Sequence, residues 1–239
     1  MATPFPLRKF AAGLALALAT SSAFAAPSAS APRPFTATYR VLSGDQLQGE
    51  ATIKLSASGN GEFTYSNQSK GTAGMAAALN ASSSETTRFR WVDGAPETLR
   101  YDSVQTALKT KQRHLVVDPA THEVSVDEGK GSKSYPGVPG MVDRNTLPLA
   151  LGLALLAGKQ DVTLPVGVRQ NVEQQQYRVT GSETVQVPAG SFKAERIERS
   201  NADKPFSGWY VPQKFPMPVK LSQADGGNLT LELVKFSQP

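Results

Sequence analysis

The stretch that decides the fold is residues 35–65, FTATYRVLSGDQLQGEATIKLSASGNGEFTY. Apolar and polar side chains alternate in it, first over residues 35–41 and again over residues 51–55. Because successive side chains of a strand point to opposite faces, this period of two predicts β-strands with one buried face. Residues 58–61, SGNG, interrupt the pattern with the residue types that tolerate positive φ in tight hairpin turns. The stretch therefore predicts antiparallel hairpins.

The same alternation returns along most of the chain. It predicts further strands at residues 63–65, 87–91, 99–117, 124–126, 162–166, 171–180, 183–187, 192–199, 207–211, 218–223 and 228–236. In the last of these, Val234 breaks the alternation that runs up to Leu233, which predicts a β-bulge. Residues 69–84 and 129–141 are rich in Gly, Ser or Pro and are predicted loops, the first with a helical turn near Met75.

One segment predicts a substantial helix. Residues 146–158, TLPLALGLALLAG, carry leucines on nearly every side of a helical projection, which is typical of a buried helix. Asn145 or Thr146 can cap it, Pro148 fits its first turn, and Gly158 ends it. Together these elements predict a mainly β protein, with a curved antiparallel sheet or half-barrel wrapped around one buried α-helix. We expect a single domain over residues 35–239.

The N-terminus predicts export. Arg8 and Lys9 precede an apolar run over residues 10–19, and a small-x-small site ends at Ala25. This order is typical of a cleaved signal peptide over residues 1–25, and the run is too short to span a bilayer as a helix. Residues 26–34 contain mostly Ala, Pro and Ser and are expected to form a disordered leader. The predicted location is the periplasm.

Composition narrows the classes of function. Cleavage after Ala25 would leave 214 of the 239 residues and lower the formal charge from +5 to +3. That mild charge does not indicate a nucleic-acid binder, and no later stretch predicts a membrane-spanning helix. The chain has no cysteine, which excludes disulfides, thiolate metal sites, a thiol nucleophile and a lipidated N-terminal cysteine.

Motifs for catalysis, cofactors and metals are missing from the sequence. It contains no nucleophile elbow, P-loop or dinucleotide-binding glycine motif. Its two histidines, His114 and His122, flank a predicted turn, and if Val117 pairs with His122 they point to opposite sides of the hairpin and do not share a metal. A one-residue slip in the register would place them on the same face. We therefore expect no enzyme activity, no cofactor and no metal site.

A cationic stripe is the first candidate binding feature. Lys109, Lys111 and Arg113 alternate with polar residues and fall on one face of a predicted strand. One interpretation is a charged, solvated edge that resists aggregation. The other is a contact surface for phosphates or acidic sugars of the cell envelope.

Four aromatic residues are the second candidate feature. Phe89, Trp91, Tyr101 and Trp209 lie on predicted strands. Aromatic strand faces usually pack into a core. A strongly curved sheet that is not filled by its own side chains would instead leave a cavity lined by these rings.

Spaced motifs also suggest a family. They are Tyr39…Gly49…Leu55…Tyr65, PETLRY at 96–101, Asp143…Thr146-Leu147, Gly181-Ser-Glu183, VPAGSFK at 187–193, WYVP at 209–212 and PVK at 218–220. In this order, from about Phe35 to Val234, the chain resembles the bacterial exported proteins of domain of unknown function 3108. The resemblance implies a periplasmic β-rich protein, with a half-barrel like those of lipoprotein carriers. It implies no activity.

These observations give one leading functional hypothesis and two alternatives. The leading hypothesis is a non-catalytic carrier for an apolar or amphiphilic envelope ligand, a lipid or glycolipid. The aromatic residues would line its cavity and the cationic stripe would meet an anionic headgroup. The first alternative is an envelope assembly protein that binds a partner protein through its strand edges. The second is a glycan hydrolase, which would need two carboxylates about 5–9 Å apart in an open cleft.

Overall fold

The computed structural model describes Met1, residues 31–224 and residues 228–239. The predicted signal peptide lies outside these residues, apart from Met1. Of the predicted leader, only residues 31–34 are described, and they have no regular secondary structure.

The described chain is built almost entirely from strands. They are β1 (Phe35–Ser43), β2 (Gln46–Gly59), β3 (Glu62–Gly71), β4 (Ser82–Val92), β5 (Ala95–Thr106), β6 (Thr110–Val117), β7 (Glu123–Asp127), β8 (Ser132–Pro136), β9 (Val142–Asp143), β10 (Asp161–Gly167), β11 (Val172–Val187), β12 (Gly190–Arg199), β13 (Phe206–Tyr210), β14 (Lys220–Gln223) and β15 (Leu229–Ser237). The helices are α1 (Gly74–Ala78) and α2 (Leu147–Leu156).

All of these strands belong to one sheet, and its connectivity requires it to curl. The order is β8-β7-β6-β5-β4-β3-β2-β1-β15-β14-β13-β12-β11-β10-β9, antiparallel except for the β9–β10 pair. Laid flat, fifteen strands would measure roughly 67 Å across, since neighbouring strands lie about 4.8 Å apart. The two outermost strands, β8 and β9, are nevertheless joined by residues 137–141, which span at most about 22 Å. The sheet therefore bends back into an incomplete barrel.

The two ends of the sheet meet along a seam. Tyr135 on β8 donates its hydroxyl to the carbonyl of Val168, just after β10, at 2.7 Å. Burial raises the pKa of Tyr135 to about 12, so the hydroxyl keeps the proton it donates. On the other side of the seam, the Thr98 amide donates to the Met141 carbonyl at 2.9 Å. Individual hydrogen bonds, rather than a continuous ladder, hold the ends together.

Helix α2 is buried inside the curve, as predicted. Leu151 and Leu155 are almost fully buried, and they pack with residues from β10 to β13. Gly152 lies so close to the loop before β14 that a Cβ there would be 2.1 Å from the Pro216 carbonyl oxygen. The Tyr210 hydroxyl donates to the Pro148 carbonyl at 3.0 Å and fixes the first turn against β13.

The mainly β fold, the curved sheet and the helix are confirmed, and three local predictions are wrong. The predicted loop over 129–141 contains β8, which pairs with β7 through its backbone although its side chains are mostly polar. Residues 99–117 form two strands, because the chain turns between Thr106 and Thr110; nothing in the polar pattern marks that turn. The predicted loop over 69–84 is mostly regular structure, since β3 extends to Gly71 and β4 begins at Ser82. The bulge at Val234 is confirmed: the β1 register skips this residue.

Candidate functional site

The curled sheet encloses a cavity of about 590 Å³. One part of its wall is apolar and comes from strands on both sides of the barrel, from α2 and from the loop before β14. This apolar wall consists of Ile53, Leu147, Val166, Met217, Leu221 and Leu231. Tyrosine rings extend it, and their hydroxyls are paired: Tyr39 donates to the Pro218 carbonyl at 2.9 Å and Tyr177 to Gln175 at 2.6 Å.

A polar row that crosses four strands continues the lining directly beside Ile53, which is the register partner of Asn67. Asn67 on β3 pairs in register with Glu85 on β4, Glu85 with Ser103 on β5, and Ser103 with Arg113 on β6. Cross-strand partners point to the same face of a sheet, so the row faces inward together. Asn67, Glu85 and Arg113 line the cavity.

Glu85 is the buried acid of this polar row. Its Oε1 accepts a hydrogen bond from the Tyr101 hydroxyl at 3.0 Å and a longer one from Ser103 at 3.4 Å. The Arg144 guanidinium is 3.7 Å away, a loose ion pair, and its side chain is half exposed. The carboxylate therefore has acceptor capacity left over, since an ionised carboxylate offers about four lone-pair positions.

Four arginines line the cavity, and the two that are more than half exposed, Arg144 and Arg169, mark where it opens to solvent. Arg113, Arg144, Arg169 and Arg199 all line it, and we call them the arginine rim. Glu128 accepts from Arg113 at 2.8 Å and lies 3.3 Å from Arg169, so one carboxylate serves two guanidiniums. Arg199 donates to Glu173 at 3.1 Å. With Lys204, the lining contains five cations against three acids, Glu85, Glu173 and Asp203; with Glu128 counted as a fourth acid, an excess of one positive charge remains and favours anions.

A buried carboxylate, Asp143, anchors the cavity wall. Its oxygens accept from three hydroxyls: Thr87 at 3.0 Å, Thr98 at 2.7 Å and Thr146 at 2.9 Å. The Asn145 amide donates to it as well, at 2.8 Å. Burial raises the pKa of Asp143, and these hydrogen bonds oppose the rise. Asp143 thereby joins β4, β5 and the start of α2; the Thr146 side chain binds it rather than capping the helix.

Two amide oxygens in the wall lack partners. Asn145 is almost fully buried, and no atom of the described chain donates to its Oδ1. The Asn67 Oδ1 is likewise buried and unpaired within the part of the chain that the structure describes. Leaving a buried acceptor unpaired costs about 1–3 kcal/mol, so a donor that reached either oxygen would recover part of that free energy.

The structure separates the seven residues predicted to bind ligand. Arg113 lines the cavity, whereas Lys109 and Lys111 are exposed, although Lys111 shares the inward face of β6. Phe89 is fully buried against Phe63, with ring centroids 5.3 Å apart, and belongs to the core.

The other predicted aromatics also lie outside the cavity lining. Tyr101 is buried and reaches the site only through its hydrogen bond to Glu85. Trp91 packs at the edge of the core. Trp209 stacks with Arg196 and Lys220 and donates its indole N–H to Glu183 at 2.7 Å. Their role in binding stays a prediction.

Sequence reasoning missed most of the residues that line the cavity. Arg144, Arg169 and Arg199 come from separate elements and share no pattern. Glu85 did carry a signal, because it continues the inward face of Thr87 and Phe89 with a charged residue. A charge at an inward position of an alternating strand indicates an unfilled or polar interior.

This fold and site define a class: an incomplete β-barrel with an internal, partly apolar cavity and a cationic mouth. The chain belongs to the family described as Protein of unknown function (DUF3108), whose model matches residues 34–234 and so confirms the resemblance.

Comparison with solved structures supports the barrel. The chain is similar to a β-barrel-like protein of domain of unknown function DUF1849 from Brucella abortus. The TM-score is 0.53 at 11% identity, over 87% of this chain and 98% of the other. This likeness shows the fold alone. No curated protein matches, and the matches found indicate no catalytic family. Over the described residues, no helix has the length and apolar character needed to span a membrane.

Proposed function

We propose that this protein is a non-catalytic carrier that binds an amphiphile of the cell envelope, and that the predicted signal peptide delivers it to the periplasm. The observation that carries the proposal is the mixed lining of the cavity, which combines the apolar wall with the arginine rim. A hydrocarbon tail fits the apolar wall and an anionic headgroup fits the arginine rim.

The size and chemistry of the cavity suit a lipid tail. Its volume of about 590 Å³ lies within the range of small-molecule sites, roughly 300–1,000 Å³. Each methylene group transferred from water to an apolar wall contributes about 0.8 kcal/mol. A tail of moderate length therefore supplies most of the binding free energy.

The arginine rim suits a phosphate or carboxylate. The guanidinium group presents paired N–H donors whose geometry matches both anions. Arg113 and Arg199 are the more buried members, with about 19% of each side chain exposed, so water screens them less than it screens Arg169. Glu128 and Glu173 hold these two guanidiniums in place before a ligand arrives.

Native mass spectrometry of protein purified from the periplasm tests this proposal. We expect a co-purifying lipid in the wild type. Leu231→Trp places a large side chain in the apolar wall and should remove that lipid. Val234→Trp, on the exposed bulge of the same strand, is the matched control and should retain it. Protein that repeatedly carries no lipid, or that carries it equally in both variants, would contradict the proposal.

A further inference from the structure

We propose that the cavity contains a second recognition subsite, formed by Asn67, Glu85 and Asn145, that accepts hydrogen bonds from N–H or O–H groups of the ligand headgroup. This inference rests on the proposed function and narrows the chemical class of the ligand. It selects phosphate-containing amphiphiles whose headgroup also bears an ammonium or hydroxyl donor. We call these three residues the acceptor subsite.

The orientation of the Asn145 amide is fixed by its neighbours. Its Nδ2 donates to the Tyr65 carbonyl at 3.4 Å, and a carbonyl oxygen only accepts. Nδ2 also donates to the Thr87 hydroxyl at 3.1 Å, whose own proton goes to Asp143. Because Asp143 holds the Thr87 proton, that hydroxyl is an acceptor toward Asn145. Oδ1 must therefore point away from both partners.

Asn67 and Glu85 place two further acceptors nearby. Asn67 lies two residues beyond Tyr65 on β3, roughly 7 Å along the strand from the carbonyl that Asn145 binds. Glu85 is its register partner on the next strand. Among the described residues, Glu85 has a loose ion pair with Arg144, which lies 3.7 Å away and is half exposed. The residues that carry two unpaired amide oxygens and an under-used carboxylate thus all line the cavity.

The acceptor subsite and the arginine rim belong to one surface. The polar row runs from Asn67 through Glu85 and Ser103 to Arg113, one strand at a time. A headgroup with a phosphate at Arg113 therefore extends toward Glu85 and Asn67. A donor at its end would satisfy oxygens that are otherwise buried without a partner, whereas a methylated end would leave them unpaired.

A matched series of ligands tests the inference. The probes are the dodecyl phosphate esters of ethanolamine, glycerol and choline, used below the concentrations at which they form micelles. They share tail and phosphate, but choline carries no N–H or O–H donor. We expect calorimetry with the wild type to show ethanolamine and glycerol esters binding about tenfold more tightly than the choline ester, the equivalent of one good hydrogen bond.

Two variants distinguish the acceptor subsite from cavity shape. Asn67→Leu removes an unpaired oxygen while keeping a similar side-chain volume. The affinity for the ethanolamine and glycerol esters should then exceed that for the choline ester by only about threefold or less. Gln68→Leu, on the opposite face of β3, is its control and should keep the full preference. Glu85→Gln removes the negative charge. It should weaken binding of the ethanolamine ester more than binding of the glycerol ester, because only the first carries a charged ammonium donor.

The outcomes also separate this inference from the proposed function. Equal affinity of the wild type for all three esters would overturn the acceptor subsite and leave the carrier proposal standing. Absence of binding for all three would overturn both. If Asn67→Leu weakened binding of every ester by the same factor, the residue would act through the shape of the cavity, and the acceptor role would be wrong.

Discussion

Strands β3 to β6 present two different interiors at their two ends. At one end, the Phe63 and Phe89 rings stack with no space between them, and both are buried. Four residues further along, roughly 13 Å away, the same inward face carries the polar row that lines the cavity. Alternation brings both sets inside. At one end the apolar rings pack against each other and form a core, whereas at the other end polar side chains line the cavity.

The largest effect is expected at the packed end. Phe89→Ala removes a fully buried ring and leaves a void against Phe63, so the free energy of unfolding should fall by about 3–5 kcal/mol. Urea denaturation measures this change. Val116→Ala, on the outer face of β6, is the control and should change stability by less than about 0.5 kcal/mol. A loss below about 1 kcal/mol for Phe89→Ala would mean that this end is not a dry core.

The next largest effect on stability is expected at Asp143, which lies between the two ends. Asp143→Ala leaves three hydroxyls and a backbone N–H without their acceptor and should lower stability by about 2–4 kcal/mol. Denaturant unfolding of this variant at neutral pH measures the loss. A change of under about 0.5 kcal/mol would show that Asp143 does not anchor the wall.

Asp143 also predicts a pH dependence. Because burial raises its pKa in the folded protein above the unfolded value of about 3.9, protonation favours the folded state. This contribution is complete below the unfolded pKa and disappears as the pH rises through the folded pKa. Stability of the wild type relative to Asp143→Asn should therefore fall from pH 3 toward neutrality. A flat difference between the two proteins would contradict the raised pKa.

The smallest effect is expected at the cavity end, and it concerns affinity rather than stability. Arg113→Ala should weaken binding of dodecyl phosphoethanolamine about tenfold, because a partly buried guanidinium that faces the phosphate is lost. Lys111→Ala, two residues away on the same face but exposed, should change affinity less than about twofold. Equal losses would favour the cationic stripe predicted from the sequence over the arginine rim.

Much of the fold could be predicted from the sequence because its determinants are local. Alternation over 35–41 and 51–55 predicts the first hairpin, β1–β2, and Asn60 and Gly61 adopt the positive φ values that the following turn, between β2 and β3, requires. The uniform apolar surface of α2 predicts its burial. The break at Val234 predicts the bulge. Each of these features depends on neighbouring residues alone.

The cavity could not be predicted in the same way, because closure of the sheet creates it. The arginine rim combines residues from β6, the β9–α2 turn, the β10–β11 turn and the end of β12, which meet only when the sheet curls. Phe89 packs in the core, whereas the cavity lining combines other aromatic rings with aliphatic side chains and arginines. The inward charge of Glu85 was the one local signal of an open interior.

A crystal structure of the protein bound to dodecyl phosphoethanolamine tests the central claim most directly. The account predicts the tail against Met217, Leu221 and Leu231, with the phosphate within salt-bridge distance of Arg113 or Arg199 and the ammonium near Glu85. A ligand bound on the outer face of the sheet, with the cavity holding only water, would contradict it.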